Sequence, residues 1–302
     1  MINKANIILT HNCNLSCKHC YLDAKSSKED FKENYELVKE LIDQLKKDNI
    51  NNVMFTGGEC MTFPYLKKLI KYAKELNMKV SIFTNGMMFD KEIFDLIDYI
   101  NISVDGDKNI HNFIRQNKNS YDNIISLLDY LKQIDKHTTI QYTINNLNID
   151  KLDSLIDLTL DHLNIRTVRL VFVSNIGRAK QNNIYCNKDD IEKTYKKLDE
   201  LYFKTKYHIQ FVPNLVKKYD FENYYLSGDL GFPLWFDIPS NKYYVLSEKV
   251  SKSKKISEYK KRDVEEESNH FLEILKNNKE KIIKQEYIDV EYEIQKLVKG
   301  EK

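Results

Sequence analysis

The stretch Ala5–Tyr21 reads ANIILTHNCNLSCKHCY and contains the features that decide the fold. Its first part, Ala5–Thr10, is a short apolar run and predicts a buried β-strand. The loop that follows this strand carries three cysteines, Cys13, Cys17 and Cys20. A strand that leads directly into such a loop is typical of α/β proteins, whose sites lie at the carboxyl ends of parallel strands.

The three cysteines have the spacing C-x-x-x-C-x-x-C and predict a metal centre. Three thiolates on one loop leave one iron of a cubane [4Fe–4S] cluster without a protein ligand, and a small chelating cofactor can fill that position. The alternatives are three unrelated thiols, or a tetrahedral zinc site with His11 or His19 as the fourth ligand. The chain has five cysteines, an odd number that favours metal ligands or free thiols over disulfides.

Strand and helix patterns alternate over the first two thirds of the chain. The predicted strands are Ala5–Thr10, Val53–Thr56, Lys79–Thr84, Ile100–Val104, Thr138–Thr143 and Thr167–Val173. The predicted helices between them are Phe31–Asp48, Tyr65–Leu76, Lys91–Tyr99, Tyr121–Ile134 and Asp150–Leu163. Strands that alternate with helices in this way predict an α/β fold in which outer helices cover parallel strands.

The pattern changes after Val173, and we predict a smaller C-terminal region. Its expected elements are a helix over Asp189–Lys206, a strand over His208–Val212, a hairpin of Trp235–Ile238 with Tyr243–Leu246, and a long or broken helix over Asp263–Lys299. The expected domains are therefore a barrel over residues 1–206 and a small α+β extension over residues 207–302.

The composition is that of a globular protein. Of the 302 residues, 42% are hydrophobic and 30% are charged, and the net charge is only +2. These values argue against disorder and do not call for nucleic acid or an anionic membrane as partner. No apolar run approaches the ~20 residues of a membrane-spanning helix. Residues Met1–Ala5 lack the layout of a signal peptide, so we expect a cytoplasmic protein.

The carboxyl ends of the next predicted strands carry further unusual residues. Gly57-Gly58-Glu59 follows the second strand, Thr84-Asn85-Gly86 ends the third, and Ser103 and Asp105 end the fourth. Glycines permit the backbone to approach a ligand closely, and Glu59 can bind an ammonium group. Ser103 and Asp105 are two residues apart and therefore point to the same side of an extended strand.

In this order and at these strand ends, the motifs resemble those of the radical S-adenosylmethionine (SAM) superfamily. The family pattern has an aromatic residue beside the last cysteine, here Tyr21, followed by G-G-E, T-N-G and S-x-D-G. Two further runs, His111-x-x-x-Arg115 and Gly177-Arg178-Ala179, resemble the branch that modifies peptides and proteins. With six strand–helix units, the resemblance implies a partial (β/α)6 barrel of the TIM type.

The resemblance implies two cofactors, one [4Fe–4S] cluster and SAM. Cys13, Cys17 and Cys20 would hold the cluster, and SAM would bind its open iron through amino and carboxylate groups. One-electron reduction would then cleave SAM to a 5′-deoxyadenosyl radical, which takes a hydrogen atom from the substrate. The expected SAM contacts are Tyr21, Gly57, Gly58, Glu59, Thr84, Asn85, Ser103, Asp105, Arg115, Val171 and Phe172.

The chain departs from the family pattern at two positions. Cys60 stands where proline usually follows the glutamate, and Gln116 stands where glycine usually follows the arginine. Cys60 and Cys186 are the two cysteines outside the trio. A thiol can return a hydrogen atom to a substrate radical, so both are candidate catalytic residues, with incidental thiols as the alternative.

The resemblance to the peptide-modifying branch implies a peptide substrate, in particular a ribosomally made one. Many relatives carry a C-terminal domain of the SPASM type with auxiliary clusters, and Phe232–Tyr244 has the outline of its hairpin. No cysteine follows Cys186, so we expect a degenerate domain of this type without auxiliary clusters.

The expected partners are the peptide and an electron donor such as flavodoxin or ferredoxin. Recognition of the peptide would use the C-terminal region or a separate leader-binding protein. Two other functions stay open. One is a radical SAM enzyme of cofactor or small-molecule biosynthesis, and the other is an inactive iron–sulfur binding or assembly subunit.

Overall fold

Parallel strands form the centre of the computed structural model, which describes residues 2–24, 29–205, 210–213, 215–217, 233–246, 251, 253–282, 284 and 287–298. The first seven strands are β1 (Lys4–Ile8), β2 (Asn52–Thr56), β3 (Lys79–Thr84), β4 (Tyr99–Ser103), β5 (Thr138–Ile144), β6 (Ile165–Phe172) and β7 (Gln210–Pro213). They pair side by side, in chain order and parallel. The predicted α/β arrangement of six leading strands is therefore present.

Helices connect the strands. They are α1 (Phe31–Lys47), α2 (Leu66–Glu75), α3 (Lys91–Leu96), α4 (Lys108–Arg115), α5 (Ser120–Gln133), α6 (Ser154–Asp161), α7 (Gly177–Gln181) and α8 (Lys188–Thr205). The first of them illustrates why they form. The Asp30 side chain accepts hydrogen bonds from the first turn of α1, and buried apolar residues recur along one face of that helix.

The C-terminal hairpin belongs to the same sheet as the barrel strands. It consists of β9 (Leu234–Asp237) and β10 (Lys242–Val245), which pair antiparallel. β9 also pairs parallel with β1, so the sheet order is β11-β10-β9-β1-β2-β3-β4-β5-β6-β7, with β11 at Lys254–Lys255. The sheet thus crosses the predicted boundary between residues 206 and 207, and the division into two domains stays a prediction.

The remaining C-terminal elements differ from one continuous helix. Within Asp263–Lys299, the described residues form α9 (Lys261–Asn277), α10 (Lys279–Ile282), β12 (Tyr287–Asp289) and α11 (Val290–Val298). β12 pairs antiparallel with β8 (Leu215–Lys217) in a separate small sheet. The predicted helix is therefore broken, and the strand β12 within its range was not predicted. Of the predicted strand at His208–Val212, the first two residues lie outside the described residues, and β7 begins at Gln210.

Two short helices, α4 and α7, were not predicted. The short helix α4 is capped by Asp107, whose side chain accepts from the Ile110 backbone. It ends at Gln116, which has a left-handed φ of 57°. Glycine is the residue that adopts this conformation most easily at a helix end. The family usually has glycine at this position, where the backbone freedom of glycine is useful. In this chain glutamine occupies it.

The helices of the described residues include none that is both long and apolar enough to cross a bilayer.

Candidate active site

The cysteine loop follows β1 and packs backbone to backbone against the loop after β2. Gly58 donates to the Thr10 carbonyl at 2.8 Å, and Glu59 donates to the Asn12 carbonyl at 2.8 Å. A Cβ atom on Gly58 would lie 2.5 Å from the Asn12 oxygen, and one on Gly57 would lie 2.5 Å from the Thr10 oxygen. The two glycines thus allow close approach of the cysteine loop itself, a reason that differs from the expected approach to a ligand.

The three thiols are free and sit at different depths in this loop. Cys17 is buried, whereas Cys13 and Cys20 are half-buried. Burial raises the pKa of Cys13 to about 11, and it also raises the pKa of Cys17 although the nearby Arg115 guanidinium acts in the opposite direction. Both groups are therefore protonated at neutral pH unless a cation replaces the proton, as a coordinating metal does.

Glu59 is held in place by the ends of two strands. It is 1% exposed, its Oε2 accepts from the Asn85 backbone at 2.7 Å, and its Oε1 accepts from the Met61 backbone at 3.0 Å. Burial raises the pKa of its carboxyl group, while these backbone donors act to lower it. The expected ammonium-binding residue is thus rigidly oriented beside the cysteine loop.

Asn85 connects the end of β3 to the same loop. Its Nδ2 donates to Asn14 Oδ1 at 2.8 Å and lies 3.9 Å from Cys13 Sγ, and its Oδ1 accepts from the Met87 backbone at 3.0 Å. Thr84, the last residue of β3, accepts from the Gly86 backbone through Oγ1 at 3.1 Å. The T-N-G motif therefore shapes its own turn and supports the first cysteine.

Asp105 forms a buried ion pair under the cysteine loop. Arg115 Nε lies 2.6 Å from Asp105 Oδ2, and Arg115 Nη1 lies 3.7 Å from Cys17 Sγ. Burial alone would raise the pKa of Asp105, but Arg115 and then His19 hold it below its usual value. Asp105 and Arg115 were both expected to contact SAM, and here they contact each other.

His111 supports Asp105 through a hydrogen bond with its backbone. Its Nδ1 accepts from the Asp105 backbone at 3.1 Å, so Nε2 carries the proton that it shares with Ser120 Oγ at 2.9 Å. Burial, together with Arg115, lowers the pKa of His111 to about 3. The ring is neutral in the folded protein. Through its contacts with Ser120 and with the Asp105 backbone, His111 supports the ion pair next to Cys17.

The other expected SAM contacts lie at the same edge of the sheet. Ser103 ends β4 and is buried, and Val171 and Phe172 end β6 and are half-buried. Tyr21 is 49% exposed. The motifs after β1, β2, β3, β4 and β6 thus surround one end of the parallel sheet, as parallel pairing requires.

Two histidines of the cysteine loop contact carboxylates. His11 Nε2 lies 3.0 Å from Asp237 Oδ1 at the end of β9, and His19 Nε2 lies 3.5 Å from Asp105 Oδ2. A carboxylate contact through Nε2 does not by itself exclude the zinc alternative, because Nδ1 of His19 has no hydrogen-bond partner in the described structure. Within the described part of the chain, no three His, Cys, Asp or Glu side chains converge on a point for a single ion. A cubane cluster does not require its three thiolates to meet at one point, because each thiolate binds a different iron.

The two remaining cysteines have different surroundings. Cys60 is fully buried, with Sγ 3.3 Å from the Phe83 carbonyl, and burial raises the pKa of its thiol strongly. Cys186 is half-buried, with Sγ 3.5 Å from the Ile144 carbonyl at the carboxyl end of β5, and burial raises its pKa to about 12. Of these two cysteines, only Cys186 is partly exposed.

Two curated relatives match about half of the chain. Fe-coproporphyrin III synthase of Methanosarcina barkeri is 30% identical over 155 residues, which cover 50% of this chain and 39% of that protein. The sporulation killing factor maturation protein SkfB of Bacillus subtilis is 26% identical over 155 residues, which cover 49% of this chain and 37% of that protein. The match thus spans well under half the length of either relative.

Solved structures resemble a larger share of the chain. Streptococcus suis SuiB bound to SAM has a TM-score of 0.66 and 16% identity, covering 87% of this chain and 65% of that one. The same protein bound to its precursor peptide SuiA has a TM-score of 0.57 and 17% identity, covering 70% of this chain and 48% of that one. These likenesses confirm the predicted α/β partial-barrel fold.

The family model of the radical SAM superfamily matches residues 7–159, half of the chain. This segment contains the cysteine trio, Glu59, Asp105 and Arg115. The resemblance inferred from the motifs is thereby confirmed, and the chain belongs to the radical SAM superfamily, whose members use a [4Fe–4S] cluster and SAM.

Proposed function

We propose that Cys13, Cys17 and Cys20 ligate one [4Fe–4S] cluster and that SAM binds beside it at the ends of β2, β3, β4 and β6. The observation that carries this proposal is that residues from the ends of several strands contact the cysteine loop. Asn85 after β3 lies near the Cys13 thiol and Arg115 after β4 lies near the Cys17 thiol, while the glycine pair after β2 packs against the Thr10–Asn12 backbone that precedes Cys13.

The chemistry of the donor set fits such a cluster. The loop offers three free thiols and no disulfide, and thiolates are the ligands that iron–sulfur clusters require. His19 adds a second indication, because its Nδ1 is buried and has no hydrogen-bond partner in the described structure. Buried polar atoms normally have partners, so an orphan next to the cysteine loop fits a site that receives a further group.

When bound, the cluster and SAM supply the carbon radical that removes a hydrogen atom from the substrate. The protein residues bind and orient. Glu59 provides a fixed carboxylate for an ammonium group, and Val171 and Phe172 provide apolar surface at the end of β6. Arg115 places a permanent positive charge beside Cys17. Asp105 keeps that charge oriented.

We propose a peptide, in particular a ribosomally made one, as the substrate. The support is the similarity to SkfB, which matures a killing factor, and to SuiB, which binds a precursor peptide. The His111-x-x-x-Arg115 and Gly177-Arg178-Ala179 runs point to the same branch. Recognition of the peptide would use the C-terminal region, whose hairpin lies beside β1, or a separate leader-binding protein. A flavodoxin or ferredoxin would supply the electron.

The test is a reaction of the anaerobically reconstituted protein with SAM, dithionite and a short peptide encoded beside its gene. We expect release of 5′-deoxyadenosine and a mass change in the peptide, both lost in Cys17→Ala. A porphyrin is incubated in parallel, because one relative acts in porphyrin synthesis. Modification of the porphyrin alone would overturn the peptide proposal, and absence of 5′-deoxyadenosine would overturn the enzymatic function itself.

A further inference from the structure

Arg178 lies outside the segment that the family model matches, yet its side chain reaches the cysteine loop. It stands in the first turn of α7, directly after β6. Its Nε donates to the Cys17 carbonyl at 2.8 Å, and its backbone N–H donates to the Cys20 carbonyl at 2.9 Å. One residue thus contacts the backbone of two of the three cysteines.

The same guanidinium also holds the segment that follows the cysteines. Arg178 Nη1 donates to the Ala24 carbonyl at 2.9 Å and pairs with Asp23 Oδ1 at 3.0 Å. The Arg178 side chain is 13% exposed, so solvent weakens these contacts little. Arginine can make them together because its donors form a planar fork, whereas lysine is a single charged point.

The residues next to Arg178 pack closely against the cysteine loop. Gly177 has a φ of +57°, and a Cβ atom there would lie 2.5 Å from the carbonyl oxygens of both Cys20 and Tyr21. Asn182 Nδ2 donates to the Lys18 carbonyl at 2.9 Å. The G-R-A run therefore packs against the backbone that carries the second and third cysteines.

We propose that Arg178 is a positioning residue for the iron–sulfur cluster, a role that rests on the proposed function of the three cysteines. Its hydrogen bonds fix the Cys17–Cys20 segment in the geometry that lets both thiolates bind iron. Its positively charged guanidinium donates to the Cys17 carbonyl, and a positive charge at this position favours the reduced, more negative cluster. Hydrogen bonds, net charge and second-layer contacts are known determinants of cluster potential and metal retention.

The test compares Arg178→Gln and Arg178→Lys with Arg166→Gln as a matched control. Arg166 also lies on the β6 segment, but its side chain is 55% exposed and pairs with Asp135 on the surface. Each variant is reconstituted anaerobically, and two quantities are measured. One is the rate at which a chelator removes iron, and the other is the midpoint potential of the cluster from a redox titration followed by electron paramagnetic resonance.

We expect Arg178→Gln to lose iron at least ~10-fold faster than the parent and to have a lower midpoint potential. Arg178→Lys keeps the positive charge but lacks the planar arrangement of donors. Its cluster should therefore have most of the parent's midpoint potential, but it should lose iron nearly as fast as Arg178→Gln. Arg166→Gln should match the parent in both quantities. A purely structural role would change retention and leave the potential of the remaining cluster unchanged, which would overturn the charge half of the proposal.

Two controls separate this inference from its foundation. If the parent chain binds no iron, the proposed function fails first, whereas a parent with a cluster and unchanged Arg178 variants overturns the positioning role alone. Circular dichroism of the iron-free proteins reports whether each variant folds. If Arg178→Gln does not fold, Arg178→Lys decides, and a lysine variant with the parent's iron retention overturns the inference.

Discussion

Arg115 and Asp105 form a buried ion pair, with Nε 2.6 Å from Oδ2, and the same guanidinium reaches to 3.7 Å from Cys17 Sγ. The pair links the S-x-D-G motif, the H-x-x-x-R motif and the cysteine trio in one contact chain. His111 and Ser120 extend that chain to the start of α5. Motifs that are separated in the sequence thus support one another beneath a single loop.

Removal of one partner of this pair should destabilise the protein strongly. Asp105→Asn leaves the Arg115 guanidinium buried without a counter-charge, which costs about 3–5 kcal/mol of unfolding free energy. Urea unfolding of the iron-free protein measures this loss of unfolding free energy. Asp122→Asn is the matched control, because the Lys108–Asp122 pair is exposed and should contribute less than about 1 kcal/mol. Equal effects of the two substitutions would contradict the assigned role of Asp105.

The cluster itself can be counted. Anaerobic reconstitution should give about four irons and four sulfides per chain, and Cys13→Ala, Cys17→Ala or Cys20→Ala should abolish them. Cys60→Ala is the control, since its thiol lies in the core and faces the Phe83 carbonyl. About eight irons would contradict the expected lack of auxiliary clusters, and zinc without iron would contradict the ligand assignment.

SAM affinity should depend on Glu59. Glu59→Gln keeps the size of the side chain and removes the charge, so the loss of SAM binding reports the expected contact with the ammonium group. A buried charged partner is worth about 2–5 kcal/mol when it is removed. Equilibrium binding of SAM to the reconstituted protein measures the change. Thr62→Ser, three residues further on, is the control, and parent-like affinity in Glu59→Gln would show that the binding groups lie elsewhere.

Acid should destabilise the iron-free protein partly through His111. Its folded pKa is about 3 because of burial and Arg115, whereas an unfolded histidine titrates near 6.5. The stability that the neutral ring contributes is therefore fully present above pH ~6.5 and is lost as the pH falls from there toward ~3, by about 1.4 kcal/mol per pH unit.

Unfolding at pH 7 and pH 5 tests the histidine. His111→Asn should reduce the stability difference between these two pH values by about 2 kcal/mol, since asparagine does not titrate. His270→Asn, at an exposed position, should leave the difference unchanged. If both variants keep the parent's pH dependence, protonation of His111 does not drive the acid instability.

Sequence reasoning located the strand ends well, because short apolar runs and the glycine and asparagine turns after them are local signals. β3, for example, has the predicted bounds Lys79–Thr84. The side-chain contacts were not predictable in the same way. His11 and Asp237 are 226 positions apart, and only the pairing of β9 with β1 brings them together. Arg178 was visible as part of a motif, but its contacts depend on where β6 ends relative to the cysteine loop.

The choice between the two thiols is the last prediction. A hydrogen donor must reach a substrate radical, and Cys60 is fully buried with its Sγ directed at the Phe83 carbonyl. Cys186 is half-buried at the carboxyl end of β5, and its raised pKa of about 12 keeps it a neutral thiol, the form that can give up a hydrogen atom. Of the two candidates, we therefore expect Cys186 to be the donor if the reaction inverts a stereocentre.

Cys186→Ala and Cys60→Ala should be compared with the parent in deuterated water, with the genetically linked peptide as substrate. Epimerisation predicts solvent deuterium in the parent's product, because an S–H hydrogen exchanges with solvent. Cys186→Ala should still cleave SAM but form no epimerised peptide, whereas Cys60→Ala should form it. Normal turnover in both variants would exclude a thiol donor from this chain and favour cross-linking or another radical modification of the peptide.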